Sequence, residues 1–206
     1  VIAHSEDSPG RPGVNEVEIK LPVADLARVR ERLRASGARL VSPLHFESNE
    51  LYDDDEGTLA KAGCVLRIRR TSADGGAVLT FKGPARFHEG TKTREERETE
   101  VSNPSELERI LEALGRRPRF RYEKRREEWS LDECVIALDE TPIGSFVEVE
   151  GDPAAIRRVV HELAFDASES LPYSYPELYA RRRREDGSLP PDMVFASTVG
   201  LPGTNR

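Results

Sequence analysis

The stretch VNEVEIKLPV, residues 14–23, decides the fold. Read as a strand, it puts Glu16, Glu18 and Lys20 on one face and Val17, Ile19 and Leu21 on the other, because successive strand side chains point to opposite faces. If the apolar face packs on a core, the charged face lies either in water or inside a closed sheet, and one strand alone does not choose.

The other strand-like segments repeat the pattern. VLRIRR (65–70) sets Val65, Arg67 and Arg69 against Leu66 and Ile68, and LTFKG (79–83) sets Thr80 and Lys82 against Leu79 and Phe81. KTREERETEV (92–101) carries Lys92, Arg94, Glu96, Glu98 and Glu100 on one parity. YEKRREEW places Lys124 and Arg126 together, VIALDE offers Asp139, and FVEVEG sets Glu148 and Glu150 against Val147 and Val149.

Helices are marked by their caps. DLARVRERLRASG (25–37) spaces Leu26, Val29, Arg30 and Leu33 helically and stops at Gly37. NPSELERILEALG (103–115) has Asn103 as cap, Pro104 in the first turn, a stripe of Leu107, Ile110, Leu111 and Leu114, and Gly115 as its stop. DPAAIRRVVHELAF (152–165) repeats the device, and YPELYARRRRE (175–185) reads as a fourth helix. Amphipathic helices need an apolar sheet face, so they cover the apolar parity. About eight strands close into a small barrel whose lumen holds a small ligand. The expected fold is therefore α+β, a closed eight-stranded antiparallel β-barrel with helices packed outside; an open sheet with a solvated charged face is the alternative.

The lumen reading gains weight because the charged parity is almost wholly Glu, Asp, Lys and Arg. Lys20, Arg67, Arg69, Lys82, Lys92, Arg94, Lys124 and Arg126 can surround one highly charged anion. Glu16, Glu18, Glu148 and Glu150 can hold a divalent cation, since hard cations take carboxylate oxygens. A polyphosphate with Mg²⁺ or Mn²⁺ requires both sets.

The 206 residues are 33% charged and 37% hydrophobic with a net charge of -7, which suits one soluble domain and does not favour wrapping a nucleic acid. The expected division is a flexible tail at 1–13, one domain at 14–185 and an irregular tail at 186–206. With no apolar run long enough to span a bilayer and no secretory leader pattern, no membrane partner and a cytoplasmic location are expected. Cys64 and Cys134 lack metal-ligand spacing and read as reduced, buried packing residues. His4, His45, His88 and His161 are scattered, without a pair at ligand spacing. ADGG (73–76) reads as a hairpin turn rather than a phosphate loop, and Arg181 to Arg184 as a solvated cluster at a helix C-terminus.

EVEIK resembles the ExExK signature of the CYTH superfamily, the triphosphate tunnel metalloenzymes. LRIRR, LTFKGP, REERETE, EKRREEW, ALDETPIGSFVEVEG and YSYPELY follow in the order that family shows, over roughly residues 15–179. The resemblance implies an eight-stranded charged tunnel. It assigns metal binding to Glu16, Glu18, Glu148 and Glu150, joined by Asp139, with Glu98 and Glu96 ranked above Glu100. It assigns the triphosphate grip to Lys20, Arg67, Arg69, Lys82, Arg94, Lys124 and Arg126. Lys20 is expected to assist as an acid or base, its pKa lowered by cationic neighbours, so that Lys20, Glu16 and Glu18 form the expected catalytic group. The implied activity is hydrolysis of inorganic triphosphate, thiamine triphosphate or a nucleotide. The alternatives are a class IV adenylyl cyclase making cyclic AMP and pyrophosphate from ATP, and a module that binds polyphosphate or nucleotide without turnover. A homodimer is expected by analogy with some members.

Overall fold

The computed structural model describes residues 14–72, 76–88 and 91–196, with side chains over 17–72, 76–86 and 92–196. The expected tail at 1–13, His4, the His88 side chain, most of the ADGG turn and residues 197–206 lie outside these spans.

The described strands are β1 Val14–Val23, β2 Arg39–Asp53, β3 Val65–Thr71, β4 Ala77–Lys82, β5 Arg86–His88, β6 Thr91–Val101, β7 Arg117–Leu131, β8 Cys134–Thr141 and β9 Gly144–Glu150. The helices are α1 Leu26–Ala35, α2 Thr58–Lys61, α3 Pro104–Ala113, α4 Pro153–Glu162 and α5 Tyr175–Glu185. Eight strands run β1-β9-β8-β7-β2-β3-β4-β6, and β6 pairs back onto β1, so the sheet closes into an antiparallel barrel. In the closing register Glu16 faces Arg94 and Glu18 faces Lys92. Short β5 pairs with β6 outside the ring.

The apolar parity faces outward under the helices. Ile19, Leu21, Trp129, Ile136, Leu138, Val147 and Val149 pack against Val29 and Leu33 of α1 and Ile156, Val159 and Val160 of α4, with Leu163 beyond it. Each fully buried aliphatic side chain here is worth about 1.5–3 kcal/mol. On the other flank Tyr52, Ile68 and Ala77 meet Leu111, with Leu107 beside it. Of the expected α3 stripe only one edge is used, and Ile110 and Leu114 are 50% and 70% exposed. The caps work as read: the side chains of Asp25, Asn103 and Asp152 accept from backbone N–H groups of the first turns of α1, α3 and α4. Gly37, at φ 75°, takes the left-handed conformation that ends α1.

The sequence reading contained no strand between Gly37 and Val65, where the fifteen-residue β2 runs. Its first half is exposed and carries register shifts against β7, so apolar alternation is weak there. The clear alternation begins only at His45, with His45, Glu47, Asn49 and Leu51 on one face.

At one end of the barrel the inward parity turns from charged to aromatic. Tyr122 and Phe146 pack with Tyr175 and Tyr179 of α5 and with Met193. The start of α5 thus covers that end of the lumen. The segment after α5 is irregular yet docked: Met193 is fully buried, its N–H donates to Arg121 O at 3.0 Å and its carbonyl accepts from Glu123 N at 2.9 Å. Both cysteines are free; Cys134 is buried as expected, whereas Cys64 is only half-buried at the start of β3, where its thiol reaches the carbonyl of Ala62 rather than the core. Among the described residues no helix is long and apolar enough to cross a membrane.

Candidate functional site

The lumen encloses about 360 Å³. Eight cationic side chains line it, namely Lys20, Arg67, Arg69, Lys82, Lys92, Arg94, Lys124 and Arg126, together with six carboxylates, Glu18, Glu96, Glu98, Glu128, Glu148 and Glu150. Strand parity puts them there: each sits on the face opposite the apolar residues under the helices.

On the β7–β8–β9–β1 wall the charges form one connected network. Asp139, fully buried, accepts from Arg126 Nε at 2.7 Å and Nη2 at 2.6 Å, from Lys124 Nζ at 3.3 Å and from the Tyr175 hydroxyl at 2.6 Å. Arg126 also pairs with Glu148, which in turn meets Lys20 Nζ at 3.1 Å. Lys20 donates to Tyr173 O at 3.0 Å and sits 4.0 Å from the centroid of the Tyr175 ring. Burial works against the charges of Lys20, Arg126 and Glu148, yet the partners prevail. Lys20, Lys124 and Arg126 hold the Glu148 carboxyl well below the ordinary range, and Asp139 with Glu148 drives the Arg126 guanidinium further up. Burial and the neighbouring carboxylates push the Tyr175 phenol well up, so it stays protonated and donates.

Lys20 departs from expectation. Burial lowers its pKa, but Glu148, Glu18 and Asp139 outweigh burial and raise it above the ordinary 10.5. Its nearest charges are carboxylates rather than the other cations, so it is a stable ammonium.

Across the lumen Arg67 donates to Thr80 Oγ1 and Glu98 Oε1, both at 3.1 Å, and to the Tyr122 hydroxyl at 3.4 Å. Lys82 meets Glu96 at 2.6 Å, and Arg69 lies 3.6 Å from Glu98. Burial opposes ionisation of Glu98, but Thr80, Arg69 and Arg67 lower its pKa. Arg94 turns to the backbone: its Nε donates to Gly83 O at 2.9 Å and its Nη2 to Gly63 O at 3.2 Å, tying two rim loops together.

The structure thus brings Glu18, Lys20, Arg67, Arg69, Lys82, Arg94, Glu96, Glu98, Lys124, Arg126, Asp139, Glu148 and Glu150 to one lumen or its wall. Glu16 lies two positions before Glu18 on β1; its side chain is outside the described set. Residues not singled out from the sequence also take part. Glu47 of β2, 2% exposed, lies 3.4 Å from Lys124 and from His45 Nε2. Glu128 and Tyr122 complete the lining. The alternation of β2 from His45 to Leu51 was the signal for Glu47; Glu128 shares the parity of Lys124 and Arg126.

Among the described residues no three His, Cys, Asp or Glu side chains converge as a metal-holding group. The donor chemistry nevertheless suits a hard cation. Glu18 and Glu150 are directly opposite in register and both line the lumen, and like charges so placed repel unless a cation lies near. In the structure Lys92 supplies that charge to Glu18. An all-carboxylate set fits Mg²⁺ or Mn²⁺ rather than zinc.

Comparison with known proteins agrees with the architecture. Solved structures that superpose include the PH1819 protein of Pyrococcus horikoshii, with TM-score 0.70 and 26% identity over 82% of this chain and 99% of that one. An adenylate cyclase candidate from Vibrio parahaemolyticus gives TM-score 0.71 at 22% identity, again over 82% of this chain and 99% of that one. An adenylyl cyclase candidate from Hippeastrum, described as having a dominant triphosphatase activity, gives 0.56 at 22% identity over 85% and 98%. No curated protein matches the sequence. The CYTH domain model matches residues 15–181, from β1 into α5. Since that match runs through every strand of the ring, the chain belongs to the CYTH family.

Proposed function

We propose that the lumen binds a triphosphate with a divalent cation, Mg²⁺ or Mn²⁺, and hydrolyses it, the substrate being inorganic triphosphate, thiamine triphosphate or a nucleoside triphosphate. The observation that carries this reading is eight cationic side chains around about 360 Å³ alternating with carboxylates. A pure anion binder gains nothing from carboxylates buried in its own site.

Catalysis is electrostatic in this reading. A triphosphate repels an oxygen nucleophile, and a fixed cage of cations neutralises both that charge and the charge developing on the leaving oxygen, without reorganisation at the moment of reaction. Arg67, Arg69, Lys82, Arg94, Lys124 and Arg126 grip the phosphates, and Arg126 is pre-set by its two bonds to Asp139. Lys20, as a stable ammonium, contributes charge and a proton to donate; its raised pKa does not support a role as base. Glu16, Glu18, Glu148 and Glu150 would hold the cation, with Glu96 and Glu98 facing it across the lumen. When bound, that cation supplies Lewis-acid stabilisation of phosphate oxygens. Asp139 has its oxygens occupied by Arg126, Lys124 and Tyr175, which supports a role in fixing those cations over direct metal contact.

Phosphorus-31 NMR with Mg²⁺ or Mn²⁺ tests the reading on inorganic triphosphate and ATP in parallel. Orthophosphate released from either is the expected result. Pyrophosphate and cyclic AMP from ATP would make the protein a cyclase instead, and binding without turnover would overturn both.

A further inference from the structure

One residue of the tunnel wall is neither charged nor satisfied. Asn49 of β2 is fully buried, and in register it lies between Arg69 of β3 and Tyr122 of β7. Glu47, two positions earlier on the same face, reaches Lys124 and Arg69, so this face of β2 points inward. Both amide atoms of Asn49 are without a hydrogen-bond partner, as is Arg67 Nε, and Glu47 Oε2 has the Lys124 ammonium at 3.4 Å but accepts no hydrogen bond. Among the described residues no other buried side-chain nitrogen or oxygen lacks one.

Buried polar groups are normally paired, and each left unpaired costs about 1–3 kcal/mol. Three such atoms, on Asn49 of β2 and Arg67 of β3, with the Glu47 carboxylate two positions from Asn49 on the same face, mark a place shaped for a small polar partner. The donor inventory narrows its identity. Asn49 Nδ2 and Arg67 Nε donate, while Asn49 Oδ1 and Glu47 Oε2 accept. A phosphate oxygen uses only the donors and a metal ion only the acceptors. Water uses both, and such a polar pocket with several partners is where buried water is held.

We propose that Asn49, with Glu47 and Arg67, positions the water that attacks the triphosphate, an inference that rests on the hydrolase reading above. Asn49 Oδ1 and Glu47 Oε2 accept the two O–H bonds and Arg67 Nε donates to one lone pair, which leaves the other lone pair turned towards the lumen. There Arg67, Arg69 and Lys124 flank the phosphoryl group. The water oxygen bonds to the terminal phosphorus as the bridging P–O bond breaks, its electron pair leaving with the diphosphate. One proton stays on the orthophosphate and the other passes to the diphosphate or to solvent. Burial disfavours the Glu47 charge, but Lys124, His45, Arg126 and Arg69 keep its carboxyl well below the ordinary range, so Glu47 orients the water and does not retain its proton.

The test uses the full chain with Asn49→Leu and Asn49→Asp. It measures kcat and KM for triphosphate hydrolysis with Mg²⁺, affinity for an imido-bridged non-hydrolysable triphosphate, and melting temperature. Asn49→Leu is expected to lower kcat about 100-fold, as misplacement of a reactant does, with KM and analogue affinity within about threefold of wild type and melting temperature undiminished. Asn49→Asp, which keeps an acceptor, should retain part of the lost kcat. Unchanged kcat in Asn49→Leu overturns the proposal, as does a loss of kcat that comes with an equal loss of analogue binding and a lower melting temperature. Wild type that binds the analogue but hydrolyses no triphosphate overturns the hydrolase reading itself, a failure visible before any variant is made.

Discussion

Lys20 and His45 show how a single ionisable group takes its state from what faces it. Lys20 lies among Glu148, Glu18 and Asp139 and stays charged. His45 follows the same logic at the surface end of β2. Its Nε2 is 3.4 Å from Glu47 Oε1 and its Nδ1 is 2.9 Å from Pro43 O. The hydrogen bond to Glu47 is the largest effect, burial opposes it, and the Pro43 carbonyl, the Glu47 charge and Glu128 add to it, so the imidazole pKa rises above the ordinary 6.5. A group whose folded pKa is raised stabilises the fold fully below its unfolded value and loses that contribution as pH rises through the folded value. His45→Gln is therefore expected to lower the melting temperature most at about pH 6 and least at about pH 9, as thermal melts across that range would show; a constant difference would remove the ion pair from the account. At this scale the sequence was legible wherever parity could be counted, as for Glu18, Lys20, Arg67 and Arg126. It was not legible where charge state or partner depends on the opposite wall, as for Lys20, or where backbone carbonyls claim the side chain, as for Arg94.

Among elements, α3 separates periodicity from burial. Its four apolar positions make a tidy stripe in sequence, but the helix meets the barrel along one edge. Leu111 is 6% exposed and Leu114 is 70% exposed. Leu111→Ala is expected to cost about 2–4 kcal/mol and Leu114→Ala no more than about 0.5 kcal/mol, read from urea unfolding midpoints. The caps made α1, α3 and α4 legible because capping is local chemistry between neighbours in sequence. β2 escaped for the converse reason. Its exposed first half, with Pro43 and register shifts, owes its extended form to β7 alone and not to its own alternation, since β3 joins β2 only from Glu47. With β2 unseen, Glu47 and Asn49 were unseen too.

For the molecule as a whole, charge balance decides when a polyanion can enter. The eight cations of the lining meet its six carboxylates, and Glu47 and Asp139, buried in the wall, bring the carboxylates described at the lumen to eight. Among the described residues the lumen is close to neutral and the chain carries a net charge of -7, so in the proposed function a divalent cation is what tips the balance towards a triphosphate. In Mg²⁺, triphosphate at 100 times its Kd is expected to stabilise the fold by about 2.7 kcal/mol, and chelation with EDTA should abolish most of the thermal shift. An undiminished shift in EDTA would mean that the protein's own cations suffice. Closure of the ring has a different consequence. Of the described strands β1 is made first, yet its two partners are β6 and β9, which end at Val101 and Glu150. At the pace of synthesis β1 waits roughly 6–25 s for its second neighbour, a lone strand with open edges that invite the wrong chain. Glu16, Glu18 and Lys20, spaced along that waiting strand, are the alternating charges that keep such a segment from aggregating. The residues proposed for the tunnel's chemistry thus have the character of gatekeepers in the nascent chain, before there is any tunnel.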